Sequence, residues 1–419
     1  MRHSNGTLKA VVLAAGKGVR LWPLTENRSK HMIPVAGKPI VEHVISAIRS
    51  AGIRSIVLVT RYRSELVKKH IGNGSKLGVT VDYVDQPDIS GTASAISMAQ
   101  DQVGSNDFLV AYGDLVVTTR AINRVVDTYR KKGRKPTIGL IPVSRPESYG
   151  MAKVSGDLLT EIIEKPSQSQ SPSNLANTGI YVLNPTIFDH LQTTLRSGRG
   201  EFEITDTISS LAKTGTPVAW ARIDPSDWQD IGKPWDVLAA NARLLARSKR
   251  RIAGRIEEGA KVTGQVTIEK GALIRTGTVI EGPARIGEGA VIGPLAHIRA
   301  GTCVGKRSAI GAFCEVKNSI IMDHTKIPHL SYIGDSIIGE HCNLAAGTMV
   351  ANLKLSDNTV RMRIKDSLVD TGLRKLGIVT GDNVRTGINV SFMPGIRIAS
   401  GAVIPACSVV SEDVMSPQG

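Results

Sequence analysis

The stretch IEEGAKVTGQVTIEKGALIRTGTVIEGPARIGEGAVIGPLAHIRAGTCVGKRSAIGAFCEV, residues 256–316, decides half of the fold. An aliphatic residue falls on every sixth position: Ile256, Val262, Ile268, Ile274, Ile280, Ile286, Ile292, Ile298, Val304, Ile310 and Val316. Gly259, Gly271, Gly277, Gly289 and Gly301 keep a parallel beat. A helix repeats every ~3.6 residues and a strand every ~2, so neither yields this spacing. A parallel β-helix of hexapeptide repeats does. Each flat face turns one aliphatic side chain inward, and small residues take the corners, where φ is unusual. Stacked coils then bury one apolar column and satisfy one another's backbone hydrogen bonds. Chance spacing of β-branched residues in a sandwich does not sustain a fixed period over such a span.

Beyond Val316 the beat breaks, resumes at Ile327 and Ile333, and shifts by one residue to Ile338, Leu344 and Val350. Residues 351–383 lose it, alternating around Val360, Met362 and Ile364, and are expected to project as a loop or hairpin. Val384, Val390 and Ile396 bring it back. Upstream, Trp235–Arg251 reads as a helix with Leu238, Leu244 and Leu245 on one side, ended by Gly254. These signals divide the chain into 1–235, a linker helix 236–253, and 254–419.

With 419 residues, more than one core is expected. The formal charge is +15, but aromatics are only 4% and the basic residues are spread over both halves. A nucleic-acid binder usually clusters Lys and Arg with stacking aromatics, so anionic small substrates are the expected partners. Cys303, Cys314, Cys342 and Cys407 form no C-x-x-C pair, and reduced thiols in a cytoplasmic protein are expected. The first apolar run, Ala10–Ala15, is too short to span a bilayer, and no membrane association is expected.

In the amino-terminal half, Leu8–Leu13 reads as a buried strand, Pro39–Arg49 as a helix, Ile56–Thr60 as a strand and Ser64–Ile71 as a helix. Val79–Val84, Ser94–Gln102 and Phe108–Tyr112 continue the alternation. Such alternation gives an open, mostly parallel sheet, with ligands beyond the carboxyl ends of the strands. There lies the loop Ala14–Ala15–Gly16–Lys17–Gly18–Val19–Arg20. Glycines allow backbone N–H groups close to phosphate oxygens, and Arg20 and Lys30 add positive charge. The loop matches neither G-x-G-x-x-G, since Leu21 stands at the third glycine position, nor G-K-[ST].

The longer stretch LAAGKGVRLWPLTENRSK, residues 13–30, followed by PVAGKPI, residues 34–40, resembles the signature of sugar-1-phosphate nucleotidylyltransferases. Further motifs of that family follow in order: Gln86, Gly91-Thr92-Ala93, Gly113-Asp114, Tyr149-Gly150, Glu164-Lys165-Pro166, Asn177-Thr178-Gly179 and Trp228-Gln229-Asp230-Ile231-Gly232. Joined to the repeat half, the chain resembles the archaeal bifunctional sugar-1-phosphate nucleotidylyltransferase/acetyltransferases. The resemblance implies an α/β, Rossmann-like nucleotidyltransferase domain with a mixed, mostly parallel sheet. A left-handed parallel β-helix, trimeric and binding coenzyme A between neighbouring chains, would follow it.

The chemistry fits. A sugar-phosphate oxygen attacks the α-phosphorus of a nucleoside triphosphate and is already ionised, because a phosphate monoester has its second pKa at about 6. Positioning and charge neutralisation therefore carry catalysis. Asp114 and Asp230 are the expected Mg²⁺ ligands, Arg20 and Lys30 the groups on the transferring phosphoryl and the sugar phosphate, and Lys165 a second sugar-phosphate contact. By resemblance, Ala14, Ala15, Gly16, Gly18, Gln86, Gly91 and Thr92 bind the nucleotide, with Gln86 reading UTP or dTTP, and Gly150, Glu164 and Asn177 hold the sugar. Family members usually carry Pro before the catalytic lysine; here it is Ser29.

Breaks in a solenoid build binding surfaces. Ile327–Asp335, Asn343–Thr348 and Ala351–Leu353 resemble the family's acetyltransferase motif. Transfer of acetyl from acetyl-CoA to an amine needs a base, and His329 is the candidate. Tyr332 and Asn352 are expected to bind the phosphorylated sugar or polarise the oxyanion, Asn343 to orient substrate, and amides near Ala345 to complete an oxyanion site. Bacterial relatives place a lysine where Asn358 stands, leaving Arg361 or Arg363 as substitutes; Ala345 replaces a glycine. Competing readings are a monofunctional pyrophosphorylase for glucose-1-phosphate, and a silent scaffold, which typically loses the metal carboxylates that this chain keeps.

Overall fold

The structure, a computed structural model, describes residues 8–87 and 91–416. The chain forms two compact units, Met1–Lys17 with Ile40–Asp230, and Gly18–Pro39 with Ile231–Gly419.

The first unit is built on one sheet. Its strands are β1 (Lys9–Ala14), β2 (Ser55–Thr60), β3 (Thr80–Asp85), β4 (Phe108–Tyr112), β5 (Leu115–Val117), β6 (Thr137–Pro142), β7 (Gly150–Ser155), β8 (Leu158–Glu164), β9 (Leu175–Leu183), β10 (Ala219–Arg222) and β11 (Trp228–Asp230). Nine of them lie in the order β3-β2-β1-β4-β9-β6-β10-β8-β7, and β5 pairs with β11 apart. β3, β2, β1 and β4 run parallel, with helices Ile40–Ser50 and Ser64–Ile71 as crossovers. Their central strands are near-continuous apolar runs because both faces are covered. The sheet is mixed and mostly parallel, as expected: seven of its nine strands run one way, and β9, antiparallel to β4 and β6, and β8, antiparallel to β10 and β7, are reversed. The physical reason is local: β7 and β8 are joined by a tight turn with Gly156 at φ 55, and a hairpin can only be antiparallel. The helix expected over Ser94–Gln102 is two short ones, Thr92–Ser97 and Gln100–Val103.

In the second unit, helix Pro234–Ala246 occupies the expected linker, and Arg251–Ile252 is already a strand. From there three sets of short parallel strands stack, each strand pairing with the one a full coil onward, the pattern of a parallel β-helix. Arg285 pairs with Cys303 and His297 with Glu315, 18 residues on. Ile286, Val304, Ile321 and Ile338 form one inward column, fully buried. The break after Val316 is a shortened corner: Cys303 pairs with Ile320 at 17 residues, so Ile321 keeps the column one position early. Val384 and Val390 belong to a second inward position, two residues before Thr386 and Phe392, where earlier coils carry Ala, Thr or Ser. Large and small trade places at Val384 and Thr386, which preserves filled volume, whereas Val390 stands beside the fully buried Phe392.

Corners also depart from the expectation of small residues. Leu295, Phe313 and Leu330 hold φ of 55, 57 and 48, with side chains 51%, 61% and 57% exposed. The fold imposes the left-handed corner conformation whatever the residue, at about 1 kcal/mol each for a side chain. The longest coil, Ile337 to its partner Val379, carries an antiparallel hairpin of Arg361–Ile364 with Ser367–Asp370, as the lost beat predicts. Cys303, Cys314 and Cys342 are buried free thiols, and burial pushes Cys303 up to about 12 and Cys342 to about 11. Among the described residues no helix is long and apolar enough to cross a membrane.

Candidate functional site

Parallel pairing gathers several of the candidate nucleotide residues of the first unit at one edge. Ala14 stands opposite Thr60, Thr60 opposite Asp85, and Leu13 opposite Tyr112. The loops carrying Ala15, Gly16, Gln86 and Gly113–Asp114 therefore all leave the carboxyl ends of adjacent strands. The Gly113 amide donates to the Leu13 carbonyl at 2.9 Å, tying the aspartate turn to the glycine loop.

Gln86 is buried, and its carboxamide N–H donates to the Gly91 carbonyl at 3.3 Å and toward Ser94 Oγ at 3.4 Å. Gly91 has φ 105, and a Cβ there would meet the Phe202 carbonyl oxygen at 2.3 Å, so only glycine fits. Thr92 has a task the sequence did not reveal: its Oγ1 accepts from the Ile204 amide at 3.0 Å. The Gly91–Thr92 turn is thereby stitched to a segment over a hundred residues away.

Asp114, 9% exposed, precedes β5, and Asp230 ends β11, pairing across the ladder with Leu115. Asp114 thus directly precedes the cross-strand partner of Asp230, which brings the two residues to the same end of the ladder. Trp228 fixes β11, its indole N–H donating to the Thr178 carbonyl at 2.8 Å and its ring packing edge-on to Tyr149. Among the described residues no cluster of three or more His, Cys, Asp or Glu is arranged to hold a metal. Two hard carboxylates fit Mg²⁺, which takes few protein ligands and fills its shell with water and phosphate oxygens.

Gly150 and Glu164 face each other across β7 and β8, and a Cβ on Gly150 would meet Glu164 Oε2 at 2.6 Å. Burial, then the neighbouring Glu203 charge, pushes the Glu164 carboxyl above its usual range, opposed by Arg199 and Lys165. Lys165 Nζ lies 3.9 Å from Glu164 Oε1. Asn177 spends its amide locally, donating to Tyr181 Oη at 2.6 Å and accepting from the Gly179 amide at 2.9 Å. Tyr112 is half-buried and Tyr181 fully buried; desolvation raises the pKa of both, Tyr112 to about 12, and both sense the Glu164 charge. Sequence reading missed this pair because tyrosines on strands are ordinary core residues; only the pairing of β4 with β9 brings them together.

Arg20 and Lys30 belong to the second unit. Arg20 sits in a single turn, Val19–Leu21, near Asp236, whose Oδ2 caps the helix Pro234–Ala246 through the Gly232 and Lys233 amides. Lys30 begins another turn, Lys30–Met32, capped by Ser29, whose Oγ accepts from the His31 amide. Ser29 thus supplies a cap where the family carries proline. Gly18 has φ 77, and a Cβ there would fall 2.6 Å from Lys30 Cβ. Gly18→Ala should displace the root of Lys30. Pyrophosphate release is expected to fall by on the order of 10- to 100-fold, with acetyl transfer retained, checked on one preparation.

On the β-helix, Tyr332 and Asn352 meet, Asn352 Nδ2 donating to Tyr332 Oη at 3.2 Å and to Asp335 Oδ2 at 2.5 Å. Asp335 is buried and also engages Asn318 at 2.7 Å and Lys317 at 3.4 Å. Burial, then Asp335, raises the Tyr332 pKa. Asp335 lay inside the quoted motif yet drew no role, because its partners come from the coils before and after it. His329 is exposed and ends strand Lys326–His329, while Asn343 bridges Lys326 and Arg385 on the same face. Tyr332 opens the adjacent face, across the corner at Leu330. The Ala345 amide does not fit the expected oxyanion role: it donates to Thr386 Oγ1 at 2.8 Å. At the hairpin, a cavity of about 660 Å³ is lined by Lys354, Asn358, Thr359, Arg361, Leu368, Asp370 and Pro394. Arg363 instead reaches the Asp366 carbonyl at 3.5 Å.

The nucleotidyl transferase family model matches residues 9–247, and a GMPPB C-terminal domain model matches 279–369. The chain is 42% identical to the bifunctional protein GlmU of Methanocaldococcus jannaschii, over 98% of this chain and 96% of that one. It is 39% identical to a bifunctional sugar-1-phosphate nucleotidylyltransferase/acetyltransferase of Sulfurisphaera tokodaii, over 97% and 98%. A solved structure from Bacillus anthracis, described as a glucose-1-phosphate thymidylyltransferase in complex with sucrose, superposes with TM-score 0.52. It is 30% identical and covers 56% of this chain and 94% of its own.

Proposed function

Since the chain belongs to the family of archaeal bifunctional sugar-1-phosphate nucleotidylyltransferase/acetyltransferases, we propose that it makes UDP-N-acetylglucosamine in two steps. The second unit transfers acetyl from acetyl-CoA to glucosamine-1-phosphate. The nucleotidyl site then joins N-acetylglucosamine-1-phosphate to UTP and releases pyrophosphate. The observation that carries the reading is the retention of both site sets in folded context: Asp114 beside the β5–β11 ladder with Asp230, and Tyr332 hydrogen-bonded to Asn352.

In nucleotidyl transfer the sugar-phosphate oxygen forms a bond to the α-phosphorus as the bond to the pyrophosphate oxygen breaks. Asp114 and Asp230 would hold Mg²⁺, which when bound neutralises triphosphate charge. Arg20 and Lys30 add fixed positive charge for the transferring phosphoryl group. Gly150, Glu164 and Asn177 orient the sugar, and Lys165 contacts its phosphate. Ala14, Ala15, Gly16 and Gly18 contribute backbone amides to the nucleotide, and Gln86 with Gly91 and Thr92 receives the base.

In acetyl transfer His329 takes the proton from the substrate ammonium. The freed amine attacks the thioester carbonyl, the carbon–sulfur bond breaks, the imidazolium returns its proton to the leaving thiolate, and the new amide nitrogen sheds its remaining extra proton to water. Tyr332 and Asn352 steer the oxyanion and sugar, and Asn343 orients substrate. Arg361 and Lys354 are the anchors we assign to the sugar phosphate. Arg361→Ala is expected to raise KM for the amino-sugar phosphate on the order of 10-fold, with kcat within about threefold. Steady-state kinetics at fixed acetyl-CoA checks this. The β-helix is proposed to be left-handed and to assemble as a homotrimer.

A panel of nucleoside triphosphates and sugar-1-phosphates, read by pyrophosphate, and of amino-sugar phosphates with acetyl-CoA, read by free thiol, tests the function. No thiol release on any amino-sugar phosphate would leave only the monofunctional pyrophosphorylase reading; no pyrophosphate release would leave neither.

A further inference from the structure

The nucleotidyl segment Gly18–Pro39 packs with the late coils of the β-helix inside one compact unit. Its anchor is Arg28, two residues before Lys30 and 6% exposed. The guanidinium donates to both carboxylate oxygens of Asp382, each at 2.9 Å, and lies 3.1 Å from Glu340 Oε1. Asp382 is itself held, its Oδ1 accepting from the Glu340 amide at 2.8 Å and its own amide donating to Ser400 Oγ at 3.0 Å. A second tether lies four residues before Lys30, where Glu26 Oε2 accepts from the Ser400 amide at 2.7 Å.

One guanidinium nitrogen, Nη2, makes all three of these contacts, while Nη1 turns to the Leu24 carbonyl at 3.4 Å, and a charge-assisted pair buried in this way does not readily trade partners with water. Lys30 begins its turn one residue after Ser29, so the backbone path from Arg28 to Lys30 has little slack. Gly18 closes the other side against the Lys30 side chain. We propose that Asp382 and Glu340, carboxylates of the β-helix, are positioning residues for nucleotidyl transfer, acting through Arg28 to hold Lys30. The inference rests on the proposed function. It assigns the late coils a task in the chemistry of the other half: the long coil that carries the hairpin closes immediately before Asp382, at Val379.

The test uses the full chain and four variants: Arg28→Met, Asp382→Asn, Lys30→Ala and the double variant Arg28→Met with Lys30→Ala. Arg28→Met and Asp382→Asn are expected to lower kcat for pyrophosphate release on the order of 100-fold. KM for the nucleoside triphosphate should stay within a few-fold, and acetyl transfer in the same preparation should stay at the wild-type rate. Because Arg28 acts through Lys30, adding Arg28→Met to Lys30→Ala should cost less than about threefold more. Asp382→Asn keeps the shape and the capping contacts, so it separates lost charge from lost fold. The inference is overturned by full additivity in the double variant, by unchanged pyrophosphate release in Arg28→Met or Lys30→Ala, or by both activities falling together in Asp382→Asn. Wild-type chain that releases no pyrophosphate at all refutes instead the proposed function.

Discussion

Asp114→Asn is expected to lower pyrophosphate release by on the order of 10³-fold, about 4 kcal/mol of transition-state stabilisation, while acetyl-CoA turnover persists. The substitution keeps size and one hydrogen-bonding oxygen but removes a charge. Asp230 ends this ladder and Asp114 adjoins it, and on the proposed reading losing one of the two removes half of the protein's anionic grip on the divalent ion. Asp114 is nearly buried, and water cannot replace it cheaply. A titration of Mg²⁺ at saturating substrate should show the midpoint moved upward. Unchanged turnover and midpoint would remove Asp114 from the site.

His329→Ala is expected to lower acetyl transfer by on the order of 10³-fold, within the ~10²–10⁴ range for general acid–base groups, with pyrophosphate release untouched. The residue is exposed on strand Lys326–His329, so the alanine leaves no cavity in the packed interior and the column through Ile327 stays intact. Rising pH should restore part of the rate, because a growing fraction of the amine is then already neutral. A pH profile parallel to wild type would mean that another group takes the proton. Together the two variants form a crossed pair, each silencing one activity and sparing the other.

Much of the fold was legible in the spacing of Ile268, Ile286 and Val304, because a coil of constant length forces a constant sequence period. The beat misled where one corner lost a residue before Ile321, and where Val384 and Thr386 exchanged large for small. Both changes conserve the column, and a column is a property of three dimensions. Corner residues Phe313 and Leu330 carried no signal, since neighbouring coils hold them in a conformation their own chemistry disfavours.

At the site, Asp114, Asp230, Tyr332 and Asn352 were readable because their motifs are contiguous. Asp335, Tyr112 and Tyr181 were not, for their partners arrive from other strands. The Ala345 amide shows the converse, an expected donor already claimed by Thr386.

Sequence alone determined the repeat, the order of the two halves and the identity of the charged groups, because each follows from local period or contiguous motif. Only the tertiary structure decided which amides stay available, that Thr92 braces the turn at Gly91 against Ile204, and that Arg28 reaches Asp382 across more than three hundred residues. Hydrogen bonds act over about 3 Å of space and are indifferent to distance along the chain, so contacts of that kind leave no periodic trace for a reader of the sequence.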